Sequence, residues 1–210
     1  MRGILLDRDG VINRERADYV KHWDEFVFLP GVLTALQRLA TLPMPILVIT
    51  NQSAIGRGIV SRQAVDEIHA QAQAAIHSAG GRIDGFFLCP HHPDAGCSCR
   101  KPQPGLLYQA AAQFALTIEQ SVFVGDAITD YQAARAAGCQ SILVKSGRQG
   151  TQLQQYLAEE LAGEETVVRS ESQQPRCTTQ APAVAPSQRP PLVADLSAAV
   201  ELIMTQFTAT

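Results

Sequence analysis

A chain of 210 residues, 46% hydrophobic and 18% charged, can bury one core without disulfide or metal staples and has the balance of an ordinary globular domain. A formal charge of −3 leaves no basic surplus to displace counterions from phosphates, which argues against nucleic-acid and anionic-membrane partners. No apolar run approaches the roughly 18 residues of a membrane span, and the start MRGILLD is too short for a signal-peptide core, so a monomeric cytoplasmic protein with reduced thiols is expected.

The first apolar run, GILL (3–6), is unbroken by polar residues, as a strand covered on both faces requires, and DRDGVIN follows it. GVLTALQRLA (31–40) then puts Val32, Leu36 and Leu39 on one helical face. PILVI (45–49) is a second strand, followed by TNQS. Ser61 is a helix N-cap, with Val65, Ile68, Ala72 and Ile76 in helical register up to the Gly80-Gly81 stop. GFFLC (85–89) is a third strand and runs into CPHHPDAGCSCRKP (89–102), which holds three of the five cysteines.

PGLLYQAAAQFA (104–115) is helical, SVFVG (121–125) is a fourth strand followed by GDAITD, DYQAARAAG (130–138) is helical, and SILVK (141–145) is a fifth strand. Beyond it, 148–191 reads as a flexible insert, because 175–191 carries five prolines and no periodicity. In 192–210, a strand and a helix with Leu196, Val200, Ile203 and Phe207 on one face are expected to complete a core formed by residues 1–147. Lone Cys139 and Cys177 read as a core residue and a tail residue.

Alternating strands and helices predict an α/β fold, a three-layer, doubly wound, mainly parallel sheet. Such sheets place function outside the carboxyl ends of their strands. Singly, D-x-D-G, TNQS and GDAITD are ordinary turn and capping chemistry. On one rim, however, Asp7, Asp9 and Asp126 would repel one another unless a hard cation sat among them, and Mg²⁺ suits a few carboxylates and a phosphate oxygen. A carboxylate beside such an ion can attack phosphorus, and a second two residues along can move the proton. Lys101, Thr50 and Asn51 are candidates to balance the charge of the transferring group.

In this order over residues 1 to about 146, DRDGVIN, TNQSAIGRG, CPHH…CSCRKPQPG and GDAITD resemble the haloacid dehalogenase (HAD) superfamily of phosphatases. Within it they resemble the D-glycero-D-manno-heptose-1,7-bisphosphate 7-phosphatases and the related histidinol-phosphate phosphatases. The resemblance implies Asp7 as nucleophile and Asp9 as general acid/base. It implies Mg²⁺ on Asp7, the Asp9 backbone carbonyl and Asp126, with Thr50 and Lys101 on the phosphoryl group. It implies Asn51, Gln52, Ser53 and Arg100 as substrate contacts, joined by Glu15 and Tyr19 from NRERADY, and a central first strand without a large cap domain. The implied reaction removes the C7 phosphate of a heptose 1,7-bisphosphate through an aspartyl-phosphate, in nucleotide-activated heptose synthesis. Histidinol phosphate or another sugar phosphate is the alternative substrate. A zinc-stabilised binding module without turnover is the remote alternative. Ala127 stands where many relatives have Lys, and only HPDAG separates His91 from Cys97.

Cys89, a histidine, Cys97 and Cys99 would fill a tetrahedral Zn²⁺ and leave no position for water, so the expected ion is structural. A reduced thiol cluster and a disulfide are the alternatives. Either His91 or His92 could supply the nitrogen; the related phosphatases imply His91.

Overall fold

The structure is a computed structural model that describes residues 1–159 and 190–208, the last two as backbone only. Six parallel strands form one sheet in the order β3-β2-β1-β4-β5-β6. They are β1 (Ile4–Leu6), β2 (Ile46–Asn51), β3 (Gly85–Cys89), β4 (Val122–Gly125), β5 (Gln140–Val144) and β6 (Leu192–Val193). Each apolar run carries its side chains alternately to the two faces, and both faces are covered.

Ile4, Leu6, Ile46, Val48, Val122 and Val124 pack on one side with α1 (Val32–Leu39), α3 (Arg62–Ser78) and α7 (Leu196–Thr208). Leu5, Leu47, Ile49 and Phe123 pack on the other with α4 (Gly105–Phe114) and α5 (Ile128–Ala137). The sheet is therefore the middle of three layers, as expected. Leu196, Val200 and Ile203 are fully buried in the first cluster, each contributing about 1.5–3 kcal/mol by leaving water. Ser61 caps α3 by accepting from the Ala64 N–H at 3.0 Å, and Cys139 is buried in the second cluster.

Three local features differ from the sequence reading. Thr50 and Asn51 belong to β2 itself, because the ladder to β3 continues through Thr50↔Leu88 and Asn51↔Cys89; α2 (Ser53–Gly56) follows at once. Next, α5 begins two residues early: Asp130 Oδ2 accepts from the N–H groups of Asp126 (3.1 Å) and Ala127 (3.0 Å) just ahead of the helix, and Gln149 Oε1 accepts from its first N–H, Ile128 (3.1 Å).

Finally, the flexible insert expected from 148 is corrected at its start: residues 150–159 form a helix, α6. Leu153 and Leu157 sit one helical turn apart and are buried against Tyr131 and Leu143, which outweighs the polar Gln-rich surroundings. The proline-rich stretch up to 189, with Cys177, lies outside the described residues. The described residues resume at Pro190, and β6 follows, with the Leu143 N–H donating to the Pro191 carbonyl at 2.8 Å.

At the β1–α1 and β3–α4 junctions the described residues form loops with single 3-10 turns, Trp23–Glu25 and Pro93–Ala95, and no inserted folding unit. No helix among the described residues is long and apolar enough to cross a membrane.

Candidate active site

The strand order reverses direction between β1 and β4, and the crevice at such a switch point is where doubly wound sheets bind ligands. Asp7 emerges from β1 and Asp126 from β4, adjacent strands in register at Leu6↔Val124. Lys101 reaches beneath them from the loop after β3. Its Nζ lies 2.9 Å from Asp7 Oδ1 and 2.7 Å from Asp130 Oδ1, and donates to the Ile49 carbonyl at 3.0 Å. All four side chains are buried.

Three carboxylates share one ammonium, so desolvated negative charge is left over. Burial, with the Asp130 and Asp9 charges, raises Asp7 to about 7 against the pull of Lys101. Burial raises Asp126 well above the carboxylate range, and the Asp130 and Asp7 charges add to it. Burial alone would lower Lys101, but Asp130 and Asp7 overcome it and hold the ammonium charged.

This donor set fits a hard divalent cation. Oxygens of Asp7, Asp126 and Asp130 lie within 4.8 Å of one another. Asp130 has spent Oδ2 on two backbone N–H groups and Oδ1 on Lys101, so Asp7 and Asp126 are the pair suited to ligation. Asp126 is enclosed by glycines: a Cβ on Gly10 or on Gly147 would collide with its carboxylate. Gly10 also has φ +87°, where a side chain is strained.

Asp9 faces the same cleft, but its carboxylate is heavily engaged. It accepts two hydrogen bonds from Arg8 Nη2 (2.9 and 2.8 Å), one from Asn13 Nδ2 (2.9 Å) and one from Gln52 Nε2 (2.9 Å). Burial would raise it, yet Arg8 and these donors hold it below the usual carboxylate range.

The cleft has a volume of about 570 Å³ and a polar lining. Ser53, Arg100, Glu15 and Tyr19 line it. A guanidinium nitrogen of Arg100, Nη1, is buried without a protein partner among the described residues. Glu15 is paired with Arg148, Oε2 to Nε 3.2 Å.

Asn51 and Gln52 also line the cleft, and both have amides engaged with the protein. Asn51 uses its amide on the backbone of Lys101, donating to its carbonyl and accepting its N–H, both at 3.1 Å. Gln52 uses its Nε2 on Asp9 and on Thr50 Oγ1 (2.9 Å). These bonds tie both amides to the scaffold around Lys101 and Asp9. The sequence reading overlooked Arg8, Asn13 and His69 altogether, and the cleft cations Arg16, Arg57 and Arg148. For Arg8 the signal was its place between two aspartates; for His69, its position on the apolar face of α3.

Cys89, at the end of β3, starts the loop that delivers Lys101. Its Sγ lies 3.5 Å from His91 Nδ1 and 3.6 Å from Cys97 Sγ; Cys99 Sγ lies 3.2 Å from His91 Nδ1 and 3.6 Å from Cys97 Sγ. A tetrahedral zinc ion with ordinary bond lengths sets such donors about 3.5–3.8 Å apart, so the four groups fit one. The thiols are unpaired by disulfides. His92 points elsewhere, accepting from the Asp94 N–H at 3.3 Å.

The fold and this aspartate–lysine centre together fit a phosphohydrolase of the Rossmann-like type. Comparison with known proteins agrees. The HAD-hydrolase-like family model matches residues 98–170. The D-glycero-beta-D-manno-heptose-1,7-bisphosphate 7-phosphatase of Pseudomonas aeruginosa is 41% identical over 145 residues, covering 69% of this chain and 82% of that protein. The D-glycero-alpha-D-manno-heptose-1,7-bisphosphate 7-phosphatase of Mycobacterium tuberculosis is 40% identical over 154 residues, covering 70% and 81%. The crystal structure of the D,D-heptose 1,7-bisphosphate phosphatase of B. bronchiseptica, complexed with magnesium and phosphate, superposes with a TM-score of 0.77 at 32% identity over 98% of this chain and 99% of that one. The chain belongs to the HAD-like hydrolases and, among them, to the family of the heptose-1,7-bisphosphate 7-phosphatases. It is a phosphatase.

Proposed function

We propose that the protein removes the C7 phosphate of a D-glycero-D-manno-heptose 1,7-bisphosphate, as a step towards nucleotide-activated heptose. The observation that carries this reading is the buried Asp7–Lys101–Asp130 array beside Asp126, at the switch point of a sheet shared with the heptose bisphosphate phosphatases. Asp7 attacks phosphorus, the P–O bond to C7 breaks, and the leaving oxygen takes a proton from Asp9. Water then attacks the aspartyl-phosphate, gives its proton to Asp9 and releases Asp7 with inorganic phosphate. Lys101 and Thr50 hold the phosphoryl oxygens, and Arg100 holds substrate.

Asp9 must carry a proton in the first half of the cycle although Arg8 favours its ionised form. An arriving phosphate dianion supplies the like charge that raises it, and the resting carboxylate suits the second half. Mg²⁺ would sit on Asp7, Asp126 and the Asp9 carbonyl, where it supplies charge neutralisation for the phosphoryl group. Zinc would close the Cys89, His91, Cys97 and Cys99 site and tie the loop so that Arg100 and Lys101 face the phosphate.

Phosphate release across α- and β-heptose 1,7-bisphosphate, histidinol phosphate and simple hexose phosphates tests the substrate. A heptose bisphosphate should show the highest kcat/KM, and the panel reads the anomer, since relatives named for either one match this chain at about 40%. A clear preference for histidinol phosphate would overturn the assignment, and no magnesium-dependent release from any of them would restore the binding-module reading.

Zinc is checked by metal analysis. About one ion per chain is expected, and Cys97→Ser should lower metal content and stability, with kcat falling only as folded protein is lost.

Magnesium stabilisation should depend on pH. Asp7 is raised to about 7 and Asp126 is raised as well, so the metal-free fold holds protons that the unfolded chain releases, and it loses stability as pH rises through that window. Buried His69, lowered to about 3, acts in the opposite sense below about pH 6.5, but equally with and without metal. The gain in Tm from saturating magnesium should therefore grow between about pH 5.5 and pH 8. A gain independent of pH would contradict ligation by these carboxylates.

A further inference from the structure

The guanidinium of Arg8 is buried between the two aspartates of DRDG, with 1% of the residue exposed. A guanidinium cannot deprotonate there and must spend its donors. Nη2 grips both oxygens of Asp9, Nη1 lies 3.1 Å from Nε2 of His69, and Cζ lies 5.9 Å from the centre of the Phe26 ring. Nε makes no protein hydrogen bond among the described residues. Rotation of the guanidinium is thus limited by two polar contacts, one on Asp9 and one on His69.

His69 is 4% exposed and stacked on Phe86, with ring centroids 4.4 Å apart and 14° between planes. Arginine only donates, so Nε2 of His69 accepts and the imidazole is neutral with its proton on Nδ1. Burial and the Arg8 charge hold that ring down at about 3, so it stays an acceptor. His69 comes from α3, which contributes no residue to the cleft. Its link to the cleft runs through Arg8.

We infer that His69 is a positioning residue: by accepting from Arg8 Nη1 it fixes the guanidinium whose Nη2 orients the Asp9 carboxylate in the cleft. This rests on the reading of Asp9 as the general acid/base. Without the acceptor, Arg8 can turn about its unpartnered Nε end. Asp9 then keeps one neutral donor on each oxygen, Asn13 on Oδ1 and Gln52 on Oδ2, and loses the charged donor that spans both.

Leaving-group dependence tests it. A sugar phosphate releases an alkoxide that needs a proton, whereas p-nitrophenyl phosphate releases a phenolate that does not. In both cases kcat/KM reports the steps through phosphoryl transfer to the enzyme. His69→Phe keeps the stacking and removes the acceptor. It should lose about tenfold in kcat/KM on the sugar phosphate and less than about twofold on the aryl phosphate, and His69→Gln, whose amide oxygen can accept, should recover most of the loss. If His69→Phe yields no folded protein, His69→Ala carries the same comparison. Equal losses on both substrates, or none, would show that His69 only packs. Asp9→Asn separates this from failure of the underlying reading. It should lose about 10²–10⁴-fold on the sugar phosphate while largely sparing the aryl phosphate; if it does not, the assignment of Asp9 fails instead.

Discussion

Lys101→Met should destabilise the metal-free protein by about 3–5 kcal/mol in denaturant unfolding and lower kcat/KM by about 10²–10³-fold. Among the described residues Lys101 is the one ammonium in direct contact with Asp7 and Asp130, and a charge buried without its partner costs far more than the pair contributes net. Methionine matches the stem but brings no donor for the Ile49 carbonyl or for either carboxylate. The same nitrogen meets the phosphoryl charge, so folding and chemistry should fail together. Saturating magnesium should recover part of the stability by neutralising the same oxygens, but little of the rate. Unchanged stability in the absence of metal would show that the ammonium is not the counter-ion of this cluster.

Asp7→Asn should act in opposite directions on the two properties. Phosphate release should fall by at least about 10⁴-fold, the scale seen when a covalent nucleophile is removed. Stability of the metal-free protein at about pH 8 should rise by roughly 1–4 kcal/mol. The wild-type carboxyl is raised to about 7 by burial and by its acidic neighbours, so ionising it costs folding free energy that a neutral amide does not. The site therefore stores repulsion that a bound cation relieves, a cost that a binding module without turnover would have no reason to carry. Equal loss of stability and activity in Asp7→Asn would contradict this.

The layered sheet was legible because each strand is an apolar run too short for a helix and bounded by turn residues, as in SVFVG before GDAITD. Asp7 and Asp126 were legible because they follow strands directly, and strand ends on one rim must meet; Lys101, in the loop beyond β3, was legible as the cation of CSCRKP. The engagement of Asn51 and Gln52 was hidden, because whether an amide faces ligand or scaffold depends on which buried groups need donors. Here those groups are the Lys101 backbone and Asp9. His69 was hidden for a related reason. On α3 it sits among Val65, Ile68 and Ala72 and reads as core, and only the distance to Arg8 shows otherwise. Helix 150–159 was masked by its glutamines, although Leu153 and Leu157 carry the pattern of a packed turn.

If the phosphoryl group passes through Asp7, the intermediate can be trapped there. The Asp9→Asn protein, in which hydrolysis of the aspartyl-phosphate should be slowed, is mixed with p-nitrophenyl phosphate and magnesium, quenched in acid and digested for peptide mass analysis. One added phosphoryl group is expected on the peptide containing Asp7, removed by neutral hydroxylamine as an acyl phosphate must be. A phosphoryl group on another residue, or p-nitrophenol release without any protein adduct, would contradict it.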